Sequence, residues 1–150
     1  MEVADLFNYN PETGDLTWAV RGRGRSLTKP VGTVRKGYKE VMIGDKFYQV
    51  HRICFYKAYG YLPEMVDHKD LDRGNNRKNN LRDATAKTNG QNRPMQSNNR
   101  TGYKGVTPHR GKFAAQCSGK YIGAFNTAEE AYAAYVEYAK REHGEFFNGN

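Results

Sequence analysis

The sequence predicts an α+β protein made of two small units, and three features support that expectation. Short β-prone runs flank Gly- and Pro-bearing turns along most of the chain. Two stretches, one before the midpoint and one near the C-terminal end, place apolar residues at helical spacing. Between them runs Val66 to Asn92, so polar that almost nothing in it can fill a core. A run of that kind is either a disordered linker or a site.

Leu6-Phe7-Asn8-Tyr9-Asn10 and Leu16-Thr17-Trp18-Ala19-Val20 flank Pro11-Glu12-Thr13-Gly14-Asp15 and read as a hairpin. Arg21-Gly22-Arg23-Gly24-Arg25 is a flexible basic loop that either touches phosphate or is solvated. Lys39, Val41 and Ile43, then Phe47, Gln49 and His51, lie at period two around Gly44-Asp45-Lys46 and predict a second hairpin. Arg52 to Tyr61 has Ile53, Phe55, Tyr56 and Tyr59 at helical spacing and stops around Gly60 and Pro63. This reads as a short amphipathic helix whose aromatic stripe is core.

Met65-Val66 then forms a short strand into Asp67-His68, Lys69 to Lys78 a polar loop, and Leu81 the anchor of a return strand. Thr85 is a plausible N-cap for a helix holding Asn89 and Asn92. Two short strands and a helix, with polar groups pointing into the gap, make a ββα unit spanning 48–92.

Gly90 to Gly102 is rich in Gly, Asn, Ser and Pro and reads as a linker, centred on 93–100, between a domain at 1–92 and another at 101–150. Tyr103–Thr107, Lys112–Cys117 and Tyr121–Phe125 then read as three strands. Thr127-Ala128-Glu129-Glu130 is a capping box opening a helix with one apolar face, Ala128, Ala131, Tyr132, Tyr135 and Ala139. Lys140, Arg141 and His143 suit its C-terminal end, and Gly144 supplies the stop.

Composition narrows the function classes. Hydrophobic residues make up 37% of the chain, but 13% is aromatic, which suffices to seal small cores. No apolar run approaches the roughly 20 residues a bilayer requires, and the N-terminal residues lack a signal-peptide pattern; a soluble, intracellular protein is expected. Cys54 and Cys117 stand far apart, form no Cys-x-x-Cys unit, and read as small buried side chains, so no structural zinc is expected. The net charge of +8 raises the prior for a polyanionic partner. Between Ala84 and Ala128 there is no acidic residue, while Lys87, Arg93, Arg100, Lys104, Arg110, Lys112 and Lys120 all fall there.

The central stretch contains the candidate chemistry. Phosphodiester hydrolysis needs a water placed in line with the scissile phosphate and neutralisation of the charge that develops. Asp67 could hold a hard divalent ion and His68 could take the proton from water. A neutral Asn carbonyl completes a metal shell without repelling phosphate.

Asp67-His68, Asp70, Asn75-Asn76-Arg77, Asn80-Leu81, Thr85 and Asn89-x-x-Asn92 resemble the HNH endonuclease family, in the form common in phage and homing endonucleases. Tyr48-Gln49-Val50-His51-Arg52 is similar to that family's strand-to-helix lead-in. The resemblance implies a ββα-metal domain in which Asp67 and Asn89 bind one Mg2+ or Mn2+, His68 is the general base, and Asn80 holds the loop and the His68 ring. Leu71 stands where many relatives have Gly, a residue suited to a tight turn with positive φ. The final motif position is Asn89 rather than His, and the Cys-x-x-Cys pairs of some relatives are absent. His51 is a rival histidine, either closing a strand and bonding the backbone or acting directly. Asp70 and Asp72 read as loop-turn residues or as supports behind the residues that touch the metal, and Arg77 and Lys78 as phosphate contacts.

Residues 101–148 resemble the Apetala-type (ethylene-response-factor) DNA-binding domain, on Thr101–Val106, Phe113–Gln116, Gly119–Phe125, Thr127, Glu129-Glu130-Ala131, Ala134-Tyr135, Gly144-Glu145-Phe146 and Asn148. That resemblance implies a three-stranded sheet laid in the major groove. Tyr103, Lys104, Arg110, Lys112 and Gln116 would face DNA, with Lys120 on phosphate. Phe113 and Ala114 stand where Arg and Trp are frequent, which implies fewer base-specific contacts.

The expected function is therefore a divalent-metal-dependent endonuclease that nicks double-stranded DNA, with no membrane and no obligate protein partner, in the cytoplasm (the host's, if phage-encoded). The alternatives are a DNA-binding or regulatory protein with an inactive HNH site, and an RNA-binding protein. The intact set of Asp67, His68, Asn80 and Asn89 favours the enzyme.

Overall fold

The first hairpin forms as β1 (Phe7–Tyr9) and β2 (Leu16–Trp18), antiparallel with Phe7 opposite Trp18. Their rings lie 4.6 Å apart. In this computed structural model residues 2–149 are described, and the chain divides into two compact units, Met1–Thr85 and Ala86–Asn150. The division falls at Thr85 rather than at the Asn-rich 93–100 segment.

The first unit is built around Phe7, Leu16, Ile53, Phe55 and Leu81, all fully buried. Each such side chain contributes about 1.5–3 kcal/mol by leaving water. A second sheet runs in the order β3 (Thr33–Arg35), β4 (Tyr38–Ile43), β5 (Lys46–Gln49). Lys36 and Gly37 join β3 to β4 with φ of 51° and 83°, as a two-residue turn of right-handed hairpin twist requires.

Ile43 pairs with Lys46, so the β4–β5 turn also has two residues, and Val41 comes opposite Tyr48. The period-two run of Phe47 and Gln49 therefore does not share the face of Val41. Tyr48 packs against the core with Val41, whereas Phe47 is exposed. His51 is not in a strand either, because α1 (Val50–Tyr59) begins two residues before the expected start. Its C-cap Gly60 adopts φ 80° and donates its N–H to the Tyr56 carbonyl.

β6 (Met65–His68) and β7 (Leu81–Ala84) pair antiparallel, with Asp67 opposite Arg82 and His68 opposite Leu81. The loop between them is held from outside. Tyr9 donates its hydroxyl to the Asn76 carbonyl at 2.8 Å, Lys78 N–H donates to the Pro11 carbonyl at 3.0 Å, and the Tyr59 hydroxyl donates to the Lys78 carbonyl at 2.8 Å. The β1–β2 turn presses directly on this loop. A Cβ on Gly14 would lie 2.6 Å from Arg77 N and 2.7 Å from Asn76 C, so only glycine fits there.

In the second unit, α2 (Ala86–Gln91) begins directly after Thr85 and contains Asn89. β8 (Val106–His109), β9 (Lys112–Cys117) and β10 (Lys120–Phe125) form an antiparallel sheet in the order β10-β9-β8. The first strand starts at Val106, not Tyr103. The preceding Gly105 has φ 75°, and a Cβ there would meet the Tyr135 ring at 2.2 Å. α3 (Ala128–His143) covers one sheet face with Ala131, Tyr135 and Ala139, and the Thr127 side chain accepts from Glu130 N–H as its cap. Among the described residues, no helix is long and apolar enough to cross a membrane.

Candidate active site

Asp67 and His68 end strand β6 with their side chains buried. Arg82, directly across the ladder, donates from Nε to Asp67 Oδ2 at 2.8 Å, and its Nη2 lies 2.7 Å from the same oxygen at charge-pair distance. Asp67 is 6% and Arg82 7% exposed, so both charges are out of water and hold each other. The sequence reading missed Arg82.

The loop that follows is a chain of side-chain turns. Asp70 accepts from Asn75 Nδ2 at 2.6 Å, from Asn80 Nδ2 at 2.9 Å and from the Asp72 N–H at 2.9 Å. Partial burial raises the Asp70 carboxyl, but these hydrogen bonds outweigh it and hold the group below its ordinary value. Asp72 caps Gly74 N–H in the same way at 2.8 Å. Both aspartates are loop-turn residues, as their spacing suggested. Leu71 adopts φ 64° and donates its N–H to the His68 carbonyl. The position does require a left-handed backbone, and leucine takes it at a cost of about 1–2 kcal/mol.

Asn80 is the brace of this loop. Its amide donates to Asp70 and to the Asn75 carbonyl (2.8 Å), its side-chain oxygen accepts from Asp70 N–H, and its backbone carbonyl accepts from Lys69 N–H. The expectation that it also holds the His68 ring is corrected. That side chain is fully engaged with the loop, and Asn76 takes the ring: His68 Nε2 lies 2.9 Å from Asn76 Oδ1. Asn76 is 2% exposed, not a mere turn residue.

His51 lies beside this pair, its ring 5.4 Å from His68 and 5.1 Å from Tyr38. Its Nδ1 is buried without a hydrogen-bond partner, so this nitrogen makes no backbone bond of the expected kind. Burial, then the neighbouring His68 and Arg52, pushes its pKa down to about 3. A histidine neutral in the fold but free to protonate when unfolded favours unfolding as pH drops below its ordinary 6.5. Stability should therefore fall on acidification by about 1.4 kcal/mol per pH unit, or about 2–3 kcal/mol by pH 4.5. Urea unfolding from pH 7 to 4.5 should give His51→Gln a shallower pH slope than the wild type; equal slopes would reject this account.

Among the described residues, no group of three or more His, Cys, Asp or Glu side chains converges on one point. Cys54 lies in the core, its thiol pushed by burial up to about 12. The donors at the site are oxygens: the Asp67 carboxylate beside an imidazole whose Nε2 is turned to an amide. Such a set suits a hard cation completed by water or phosphate oxygens. Asn89 stands on α2 in the second unit, half-buried. Arg77 and Lys78 are exposed on the loop, Lys78 with its ammonium over Tyr59.

Residues 48–91 match the family model described as HNH endonuclease. The HNH span includes His51, Asp67, His68, Asn76, Asn80, Arg82 and Asn89. It supports a nuclease acting on DNA, of a family that generally uses divalent metal ions. No curated protein and no solved structure matches the chain.

Outside the HNH span, the second unit has an open sheet face. Ala115 and Cys117 point to α3, so the alternate residues Lys112, Ala114 and Gln116 point away, joined across the ladder by Thr107, His109 and Tyr121. Arg110, at the β8–β9 turn, is exposed beside them. Three of the expected DNA contacts lie elsewhere. Tyr103 packs at a tilt against Tyr132 and donates its hydroxyl to Glu129 Oε1. The Lys104 ammonium donates to the Arg93 and Asn148 carbonyls. Lys120 lies over the Tyr138 ring on the α3 side, because its strand partner Cys117 points there. Tyr121, 62% exposed opposite Gln116, joins the open face unforeseen.

Proposed function

We propose that the chain is a divalent-metal-dependent DNA endonuclease that nicks one strand per encounter. The observation supporting this most directly is the buried His68–Asn76 contact beside Asp67, within the HNH span. With its Nε2–H donated to Asn76 Oδ1, the ring is held in the tautomer whose Nδ1 is the basic nitrogen. His68 then takes a proton from the attacking water at Nδ1, and Asn76 stabilises the imidazolium that forms. Asp67, its rotamer fixed by Arg82, would hold Mg2+ or Mn2+ through a carboxylate oxygen. The ion when bound neutralises charge developing on the phosphate. Asn80 and Asp70 keep the loop in the shape that presents these groups.

The second unit, in this reading, targets the enzyme through the open sheet face, with Lys112, Arg110 and Gln116 exposed to bases and phosphates. Its likeness to the Apetala-type domain supports that role. Incubation of supercoiled plasmid with the protein and Mg2+ or Mn2+ should yield nicked circles, and EDTA should abolish them. Absence of nicking with either ion, or nicking that survives EDTA, would overturn the metal-dependent reading.

A further inference from the structure

From Leu16 to Lys39 the chain contains seven basic residues and no acid. This second acid-free segment lies in the nuclease unit itself. Arg21, Arg23, Lys29, Arg35 and Lys36 are all exposed. Among the described residues, the segment's ion pairing is confined to Arg35 and Glu40, at a long 3.9 Å. A solvated protein surface normally intersperses both signs; here seven like charges follow one another along the chain, with Glu40 as one weak counter-charge.

The fold also sets where this charge leads. The Lys36-Gly37 turn is strapped to the active-site loop: Arg73 donates from Nη1 to the Lys36 carbonyl at 3.2 Å and lays its guanidinium 4.5 Å over the Tyr38 ring. The turn fits closely, since a Cβ on Gly37 would come within 3.0 Å of Arg73 Nη1. The Tyr38 ring in turn lies 5.1 Å from His51 and 6.5 Å from His68. Arg35 and Lys36 therefore stand at the rim of the His68 site.

We propose that this acid-free segment is a phosphate-backbone contact for duplex DNA, leading to the His68 site at the Lys36-Gly37 turn. The inference rests on the endonuclease reading for its substrate and assigns that substrate a second contact surface, separate from the open sheet of the C-terminal unit. The DNA backbone fits because its charges repeat along a line and reward each cation by counterion release, without a shaped pocket.

The test is the salt dependence of binding to a fluorescently labelled DNA duplex in EDTA, where no cleavage is needed for the readout. Each phosphate contact contributes about 0.9 to the slope of log affinity against log salt. Arg21→Gln/Arg23→Gln/Lys36→Gln should reduce the slope by about 2–3, whereas Lys57→Gln/Lys140→Gln/Arg141→Gln, with the same net charge, should leave it nearly intact. An unchanged slope in the first variant, or an equal loss in the second, overturns this contact. A loss seen on an RNA duplex but not on DNA also overturns it. A wild type that never nicks, together with the full slope loss, supports this surface and rejects the endonuclease reading; nicking with an unchanged slope rejects the surface alone.

Discussion

His68→Ala is expected to lower plasmid nicking by about 10²–10⁴-fold, the usual contribution of a positioned general base. Imidazole added to the buffer should return part of the lost rate to that variant and none to the wild type. The role given to Asn76 predicts a graded partner effect. Asn76→Ala leaves the buried His68 Nε2–H without its acceptor, which costs about 1–3 kcal/mol, or about 5- to 150-fold in rate. Asn76→Asp retains an acceptor oxygen at the same distance and should recover much of that loss. In that role Asn76, 2% exposed, works through the His68 ring, so kcat should fall while KM for the duplex stays unchanged. Nicking retained by His68→Ala would remove the base assignment. A loss in Asn76→Ala confined to KM would remove the positioning role.

What could be read in advance divides along a physical line. Local signals were legible: the Thr127 cap with Glu130, the Gly60 and Gly144 stops, and the first hairpin around a Gly-bearing turn are all set within a few residues. Leu71 belongs with them, because the need for positive φ there could be stated before its φ of 64° was seen. Facing was not legible wherever it depended on register. Counting two turn residues at Gly44-Asp45 instead of three moves Phe47 from the core side to solvent and Tyr48 inward. The same logic misplaced Tyr103 and Lys104, which precede the first strand, and Lys120, which follows Cys117 to the helix side. Within the site, Asp67, His68 and Asn80 could be singled out through the resemblance to the HNH family, since each lies on its own strand or loop within that motif. Asn76 and Arg82 could not. One of several asparagines in a polar run becomes special only when Tyr9 and Gly14 fold the loop back over His68, and one of many arginines only when β6–β7 pairing brings it opposite Asp67.

That pairing supports the largest expected effect on stability. Arg82→Ala would leave the Asp67 carboxylate buried without its guanidinium partner, and removing one member of a buried ion pair costs about 3–5 kcal/mol. A domain of this size has about 5–15 kcal/mol in total, so the loss takes a large share of it and should lower the urea midpoint accordingly. Arg82→Lys should recover only part of the loss, because a single ammonium cannot reproduce the side-on approach of Nε and Nη2 to one oxygen. The decisive measurement is a double-mutant cycle by urea unfolding. Asp67→Asn/Arg82→Leu removes both charges together and should be more stable than Arg82→Leu alone, since no unpaired ion remains. If the double variant is no better than the single, the cost of Arg82→Ala comes from lost packing of its aliphatic stem, and the ion pair is not what fixes Asp67. If it is better yet inactive, the pair has been separated into its two contributions: a stabilising charge contact that hydrophobic packing can replace, and a carboxylate held in one rotamer that it cannot.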